Sequence, residues 1–360
     1  MWPHHRDTVH TGHMKKHYTI PFFITHMGCP FTCIFCRQDR ISGRKKSASP
    51  AQIGGRIKKY LGTIPSRNAH IEVAFFGGSF TGLAEDAQRR YLEAALPFLK
   101  EKKIHGIRLS TRPDFINQRI LDNLKKYGVS RIELGVQSMS DRVLKTAERG
   151  HSAADVVKAS GLILKNNVEL GHQIMVGLPG SSLKDEVETA KKSVRLGASE
   201  VRIYPLLVIR GTRLADMWRE GSFKPLTESE AVIRSAKIIT LFKKHGVRII
   251  RCGLHPSEGL LSGKDILAGP FHQAFGQKCE TFIYRDMFGK FFGQIKNVKS
   301  PERIYYNPRD TAPVIGYKRS NALFIEHLLK KRNVLKPSSA VKPDTVKINF
   351  KNGKSLLLKP

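Results

Sequence analysis

The sequence predicts an α/β protein built on a partial (β/α)6 TIM-like barrel with a basic C-terminal extension. Six short apolar segments alternate with stretches of helical period, which argues for βαβ units around a parallel sheet. Polar and glycine-rich sequence follows each apolar segment, where the loops of a β/α barrel form the active-site mouth. The composition then shifts, with 17 Lys or Arg against 5 Asp or Glu over 281–360, a net of +12.

The first strand is expected at 20–25, leading into a cysteine loop. The second, at 71–76, ends in Gly77-Gly78-Ser79, and the third, at 106–111, ends at Arg112-Pro113-Asp114. Strands at 131–136, 172–176 and 200–204 follow, ending in Gln137-Ser138, Gly177-Leu-Pro-Gly180 and Tyr204-Pro205. Helical patterns cover 84–100, 116–127, 153–166 and 183–196. Ser182 precedes an acidic first turn (Asp185, Glu186), and Gly128, Gly171 and Gly197 lie just past periodic runs, where a left-handed cap is wanted. A further helix at 228–245 precedes 247–252, which reads as one more strand. From 253 to 276 the chain is glycine-rich (Gly259, Gly263, Gly269) and reads as a long loop or lid. Near the end, 345–350 and 355–358 flank Asn352-Gly353 and read as a β-hairpin. The expected boundaries are a polar His-rich leader at 1–17 (His4, His5, His10, His13, His17), a core at 18–280 and the extension at 281–360.

At 360 residues, 40% of them hydrophobic, the chain suits one large domain with an appendage, or two domains. No stretch approaches a membrane span, and the N-terminus has no apolar core for a secretory signal. Five cysteines, three of them clustered, do not suggest a disulfide framework, so a reducing cytoplasm is expected. Lys and Arg number 62 against 30 acidic residues, a net charge of +32. That excess favours a polyanionic partner, with RNA first; a general basic bias, or a basic face for an acidic electron-donor protein, is the alternative.

Cys29, Cys33 and Cys36 form Cys-x3-Cys-x2-Cys, with Phe35 just before the last. Three thiolates from one loop can hold three corners of a four-iron cluster and leave the fourth iron open to an exogenous ligand, and so to chemistry. Zinc is an alternative, although it usually recruits four ligands in paired arrangements. A redox dithiol of Cys33 and Cys36 lacks a thioredoxin-like setting. Three unrelated buried thiols are a further alternative, although free cysteines seldom crowd this closely.

The run Pro21-Phe-Phe-Ile-Thr-His-Met-Gly-Cys-Pro-Phe-Thr-Cys-Ile-Phe-Cys36, then Phe75-Phe-Gly-Gly-Ser-Phe-Thr81, Ser110-Thr-Arg-Pro-Asp114, Glu133-Leu-Gly-Val-Gln-Ser138, Arg149-Gly-His151 and Val176-Gly-Leu-Pro179 resemble the radical SAM superfamily. Within it they resemble the branch of the Elongator catalytic subunit's radical SAM domain and oxygen-independent coproporphyrinogen III oxidase. The resemblance covers roughly 18–280, with the motifs in order. It implies a 4Fe-4S cluster and S-adenosylmethionine (SAM), cleaved at S–C5′ by one electron to methionine and a 5′-deoxyadenosyl radical. It also implies a low-potential donor of flavodoxin or ferredoxin type. By position, Cys29, Cys33 and Cys36 match the cluster ligands. Gly77, Gly78 and Ser79 match the turn whose backbone meets the methionine amino group, with Ser79 where many members have Glu. Gln137 matches a ribose contact, Arg149 a basic residue near the methionine carboxylate, and Phe35 a residue near the adenine or simply core. Gln173 stands where coproporphyrinogen oxidases carry an aspartate. Acetyl-dependent tRNA modifiers carry an acetyltransferase domain after the barrel for which these 360 residues leave no room, so acetyl-dependent carboxymethylation is not carried over.

Cys252, His255, His272 and Cys279 offer a second metal set, but the His272-x6-Cys279 spacing is not a usual zinc pattern and isolated loop residues are the default reading. Tyr204, Arg210, Thr212 and Arg213 follow the sixth strand, where substrate-facing residues belong in this fold. In the extension, Lys318-Arg319, Lys330-Lys331-Arg332, Tyr305 and Tyr306 are expected either to track phosphates and stack bases or to form a solvated basic face. The expectation is a cytoplasmic radical SAM enzyme acting on RNA, most directly tRNA. Radical chemistry on a small anionic, tetrapyrrole-like metabolite is one alternative, and a non-catalytic cluster- or SAM-binding nucleic-acid module is another.

Overall fold

The computed structural model describes residues 16–24, 27–30, 33–43, 47–65, 69–255, 257–294 and 301–360. The leader histidines His4, His5, His10 and His13 lie outside the described residues, whereas His17 opens the first strand. The chain divides into two compact units, one comprising 1–228 with 241–273, the other 229–240 with 274–360.

In the first unit, β1 (His17–Phe23), β2 (His70–Phe76), β3 (Gly106–Thr111), β4 (Val129–Gln137), β5 (Glu169–Val176) and β6 (Glu200–Pro205) are all the strands expected from the alternation. After the short β7 (Val208–Ile209), β8 (Arg248–Cys252) joins them as a seventh. The sheet order is β1-β2-β3-β4-β5-β6-β8 with every neighbouring pair parallel, and its two edge strands do not pair with each other among the described residues. This is a partial barrel, open between β1 and β8. Helices cross between the strands: α1 (Gln38–Ser42), α2 (Pro50–Leu61), α3 (Glu85–Lys100), α4 (Gln118–Lys126), α5 (Asp141–Thr146), α6 (Ala153–Lys165), α7 (Leu183–Arg195) and α8 (Arg213–Arg219). Side chains cap the starts of α4, α6, α7 and α8, the Ser182 start of α7 as the sequence suggested. Ser152 with Asp155, and Ser182 with Asp185, form reciprocal capping boxes that satisfy amides the first turn leaves open.

Alternation along the strands sorts the two faces of the sheet. Val73, Phe75, Ile107, Leu109, Ile132, Leu134, Val201 and Ile203 are fully buried apolar residues. The positions between them carry Glu72, Arg108, Arg131, Glu133 and Glu200, also buried. One layer of core is therefore ordinary hydrocarbon, and the other face is charged.

His172 on β5 is completely buried, with Nε2 3.1 Å from Ser160 Oγ. Burial brings its imidazole down to about 3, so the folded protein keeps it neutral. The unfolded chain takes up this proton below its ordinary value of 6.5, so stability is full above that pH and falls toward pH 3 by about 1.4 kcal/mol per unit. Denaturant unfolding at two pH values, compared with His172→Phe, is expected to show that extra slope in the wild type only.

The glycine-rich stretch after β8 is not one long loop. It contains α10 (Glu258–Leu261) after α9 (Glu228–Lys244), and β9 (Ile266–Ala268), which pairs antiparallel with β7. Leu260 joins Leu207 and Ile209 in a small apolar cluster, with Leu254, Ile266 and Phe271 against it. Those apolar residues, interleaved with the glycines, gain more by burial than a mobile loop allows.

The second unit gives the extension a core of its own. It is built from α11 (Phe275–Gln294), β10 (Pro301–Tyr306), α12 (Thr311–Ile315), α13 (Ser320–Leu329), β11 (Leu335–Pro337), β12 (Val346–Phe350) and β13 (Ser355–Leu358). The expected hairpin is β12 and β13, and it forms part of a four-stranded sheet in the order β11-β10-β12-β13. Tyr284, Met287, Phe288, Phe291, Ile304, Tyr306, Val314, Ile325, Val334, Val346 and Ile348 pack together between sheet and helices. Tyr306 is thus a core residue and cannot stack on a base; consecutive strand residues face opposite ways, so Tyr305 lies on the other face.

Candidate functional site

The cysteine loop leaves the C-terminal end of β1 and is locked to the turn after β2. Ile24 N donates to Phe76 O at 2.8 Å, and Ser79 N donates to Met27 O at 3.2 Å. Gly28 has φ +70° and Gly78 packs against the carbonyls of Ile24 and Met27, so a Cβ at either position would strike backbone. These glycines let the Gly77-Gly78-Ser79 turn lie directly under the loop. On its other side, Ile34 N donates to Ala147 O at 3.4 Å, and Leu214 N donates to Ile34 O at 2.8 Å. Ile34 is buried with Val143, Ala147, Leu178, Leu206, Val208, Leu214 and Ala215, and Phe35 packs against the same cluster.

Cys33 is buried, while Cys29 and Cys36 are partly exposed. Cys36 N donates to Cys33 O at 2.9 Å, closing a tight turn between two of the thiols. Burial first, then the neighbouring Cys33 and Cys29 thiols, together push the Cys36 thiol up to about 12, with Arg149 opposing them. A cluster held by these three thiols would offset the mutual repulsion that helps raise Cys36.

Around this loop the structure gathers most of the polar residues singled out in the sequence. Arg149 is buried; its Nη1 stands 3.8 Å from Cys33 Sγ and its Nη2 donates to Gly135 O at 2.9 Å. Arg112, also buried, donates from Nη1 to Arg149 O at 2.7 Å and is held by Asp114 at 2.8 Å. Ser79 Oγ lies 2.9 Å from Thr111 Oγ1, which lies 2.6 Å from Thr81 Oγ1. Ser79 Oγ also accepts from Arg112 N at 3.2 Å. Gln137 ends β4 with φ +63°, an unusual conformation for a side chain of this kind. Its Nε2 donates to Gln173 Oε1 at 2.9 Å, while its Oε1 is buried without a hydrogen-bond partner among the described residues. An orphaned buried acceptor in a strained residue beside the thiol loop marks where a ligand donor belongs.

The residues after β6 are used differently. Thr212 caps α8, accepting from Ala215 N at 3.2 Å and donating to Ile209 O at 2.7 Å. Arg213 pairs with Glu148, and Arg210 donates from Nε to Lys264 O at 3.1 Å. Tyr204 pairs across the sheet with Met175 and is half-buried. Cys252 ends β8, His255 follows it and His272 follows β9, whereas Cys279 is buried on α11 in the other unit.

Reading the sequence for motifs missed the charged face of the sheet. Glu200 lies against Arg108 and Arg131 and is 2.5 Å from Arg248 Nη2. Arg108 also reaches Glu72 at 3.4 Å and Glu133 at 3.6 Å. Arg202 Nε donates to Glu133 at 2.6 Å and its guanidinium lies 4.8 Å from the centre of the Phe76 ring. At the N-terminal end of β1 and β2, His17 Nε2 is 3.1 Å and His70 Nε2 3.8 Å from Glu72. These three ligand-type groups lie within 4.8 Å of one another. Arg108 and Arg131 already neutralise Glu72, which disfavours a cation there. The available signal was period-two charge: Ile71-Glu-Val, Ile107-Arg-Leu, Arg131-Ile-Glu-Leu and Glu200-Val-Arg-Ile each alternate charged with apolar residues.

A family model described as the radical SAM superfamily matches residues 23–192, and one described as the radical SAM C-terminal domain matches 198–285. The chain belongs to the radical SAM superfamily. Radical SAM proteins are enzymes that use a 4Fe-4S cluster and SAM, and the thiol loop with its buried basic and polar surroundings fits both. The chain is similar to a tRNA uridine(34) acetyltransferase of Methanocaldococcus infernus, 31% identical over 182 residues, 45% of this chain and 34% of that protein. It is also similar to an uncharacterized protein of Methanocaldococcus jannaschii, 30% identical over 228 residues, 61% of this chain and 70% of that protein. Among solved structures, Elp3 of Methanocaldococcus infernus with an N-terminal deletion superposes with a TM-score of 0.60 at 25% identity, covering 77% of this chain and 64% of that one. The chain thus spans about a third of the length of the acetyltransferase it matches. No helix among the described residues is long and apolar enough to cross a membrane.

Proposed function

We propose that this radical SAM enzyme modifies RNA, with tRNA as the first candidate substrate, in a reducing cytoplasm. The loop of three thiols with Arg149 against Cys33 carries the cofactor half of the reading. In it Cys29, Cys33 and Cys36 would hold the cluster to which SAM would bind. When bound, the cluster supplies the electron that cleaves SAM to methionine and a 5′-deoxyadenosyl radical able to abstract hydrogen from an inert C–H bond.

The chain's own residues do the rest. The Gly77-Gly78-Ser79 backbone presents acceptors to the methionine amino group. Ser79 Oγ is committed to Thr111 and Arg112, so the turn, not that hydroxyl, makes the contact. Gln137 offers its free carbonyl oxygen to a ribose hydroxyl, and Gln173 acts by fixing the Gln137 amide. Arg149 supplies positive charge for the methionine carboxylate while steadying Cys33. Phe35 packs in the core cluster beneath the loop and helps exclude water. A low-potential donor of flavodoxin or ferredoxin type delivers the electron.

The RNA half rests on the net charge of +32 and on relatives named for tRNA uridine(34). Bulk tRNA from cells with and without the protein, digested to nucleosides and compared by mass spectrometry, is expected to differ in one modified nucleoside; identical profiles contradict a tRNA substrate. Purified protein is further expected to bind tRNA with an affinity that falls steeply with salt, because released counterions drive phosphate binding. Tight binding that ignores salt contradicts recognition through phosphates.

A further inference from the structure

We propose that the open face of the second unit's four-stranded sheet binds single-stranded RNA, with Tyr305 as the platform on which a base stacks. This rests on the reading of RNA as substrate and names where its unpaired segment is held. The register places Lys336 and Lys347 directly opposite Tyr305, on β11 and β12, and Leu357 opposite Lys347 on β13. The four residues therefore form one row across all four strands. The rows on either side of it turn inward. Ile304 with Ile348, and Tyr306 with Val346, are buried in the core, so the Tyr305 row faces away from it. The next outward row brings Arg303 opposite Asn349.

The chemistry of that row suits a nucleotide. Neighbouring strands lie about 4.8 Å apart, so a lysine is the cross-strand neighbour of Tyr305 on each side. Such a ring offers its face to a base of any sequence, and flanking cations engage the phosphates to either side. Base pairs buried in a duplex cannot reach a ring on a sheet, so the surface selects unpaired RNA. The acidic residue on β10, Glu302, sits at the bulge between Pro301 and Arg303, outside this row. An acidic electron-donor protein would read the lysines alone and have no need of the ring between them.

The test uses the full-length protein and a fluorescently labelled single-stranded RNA oligonucleotide, with a duplex of equal length and an acidic flavodoxin as comparators. Thermal melting checks that each variant is folded. Tyr305→Ala is expected to weaken single-strand binding about tenfold, Tyr305→Phe to retain it, and duplex binding to be unchanged. Lys336→Ala combined with Lys347→Ala is expected to reduce the salt slope by about 1.4. Wild-type RNA binding that is unchanged in folded Tyr305→Ala and in the double lysine variant overturns the platform while leaving RNA as substrate. Loss of flavodoxin binding in those variants with RNA binding intact also overturns it and assigns the face to the electron donor. Absence of any RNA binding by the wild type at low salt overturns both this inference and the reading it rests on.

Discussion

Cys33→Ala protein, reconstituted anaerobically with iron and sulfide, is expected to lose the brown chromophore and with it all SAM cleavage. Cys33 is the buried thiol of the three, it is joined to Cys36 through a backbone hydrogen bond, and Arg149 stands against its sulfur. With one thiolate gone, only two thiols would remain to hold a cluster that calls for three. Cys29→Ala and Cys36→Ala are expected to behave alike. The fold should survive, because backbone hydrogen bonds of Ile24, Ile34 and Ser79 and the close packing at Gly28 and Gly78 hold the loop. Iron content, the visible spectrum and 5′-deoxyadenosine release are measured together. Full cleavage by Cys33→Ala would falsify the ligand assignment.

Glu200→Gln is expected to cost about 3–5 kcal/mol of stability, since breaking a buried ion pair leaves its partners charged and unpaired. Its carboxylate is almost fully buried between Arg108 and Arg131, with Arg248 2.5 Å away. Burial alone raises the Glu200 carboxyl, but those three guanidinium groups outweigh it and hold it below the usual range. Glu72 is likewise held low against burial, by His17, His70, Arg108 and Arg131. A carboxylate depressed in the folded state contributes stability above its unfolded value of 4.5 and loses it as pH falls through the lower folded value. The wild type is therefore expected to unfold progressively below about pH 4.5, and Glu200→Gln to show a shallower acid limb from a lower plateau. Denaturant unfolding across pH checks both. A Glu200→Gln protein within about 0.5 kcal/mol of the wild type would mean that water reaches this cluster.

Much of the architecture was legible because strand and helix repeat at different periods. Apolar runs bounded by glycine and polar turns located every strand of the main sheet within a few residues, including β8. The cysteine spacing and the turns after β2 and β4 were legible because each must present backbone or ligand atoms at one end of a sheet. Other features depend on long-range pairing. The glycine-rich 253–276 stretch looked like a lid because Leu254, Leu260, Ile266 and Phe271 are scattered along it, and only folding brings them to Leu207 and Ile209. Tyr305 and Tyr306 looked equivalent until strand alternation put one in the core. Gln137's strain and its unpartnered oxygen come from a bulge between β4 and β5 that no local pattern announces. The charged sheet face was visible as period-two charge, yet partners as far apart as Arg108 and Glu200 are matched only by the order of strands.

The central claim is that this chain uses its three-cysteine loop to turn SAM into a radical for RNA chemistry. The most direct measurement is 5′-deoxyadenosine formed anaerobically by the reconstituted protein with dithionite and SAM, with and without bulk tRNA. The expected result is 5′-deoxyadenosine in both reactions and more of it when tRNA is present. An intact cluster with SAM bound and no 5′-deoxyadenosine in either reaction would contradict it.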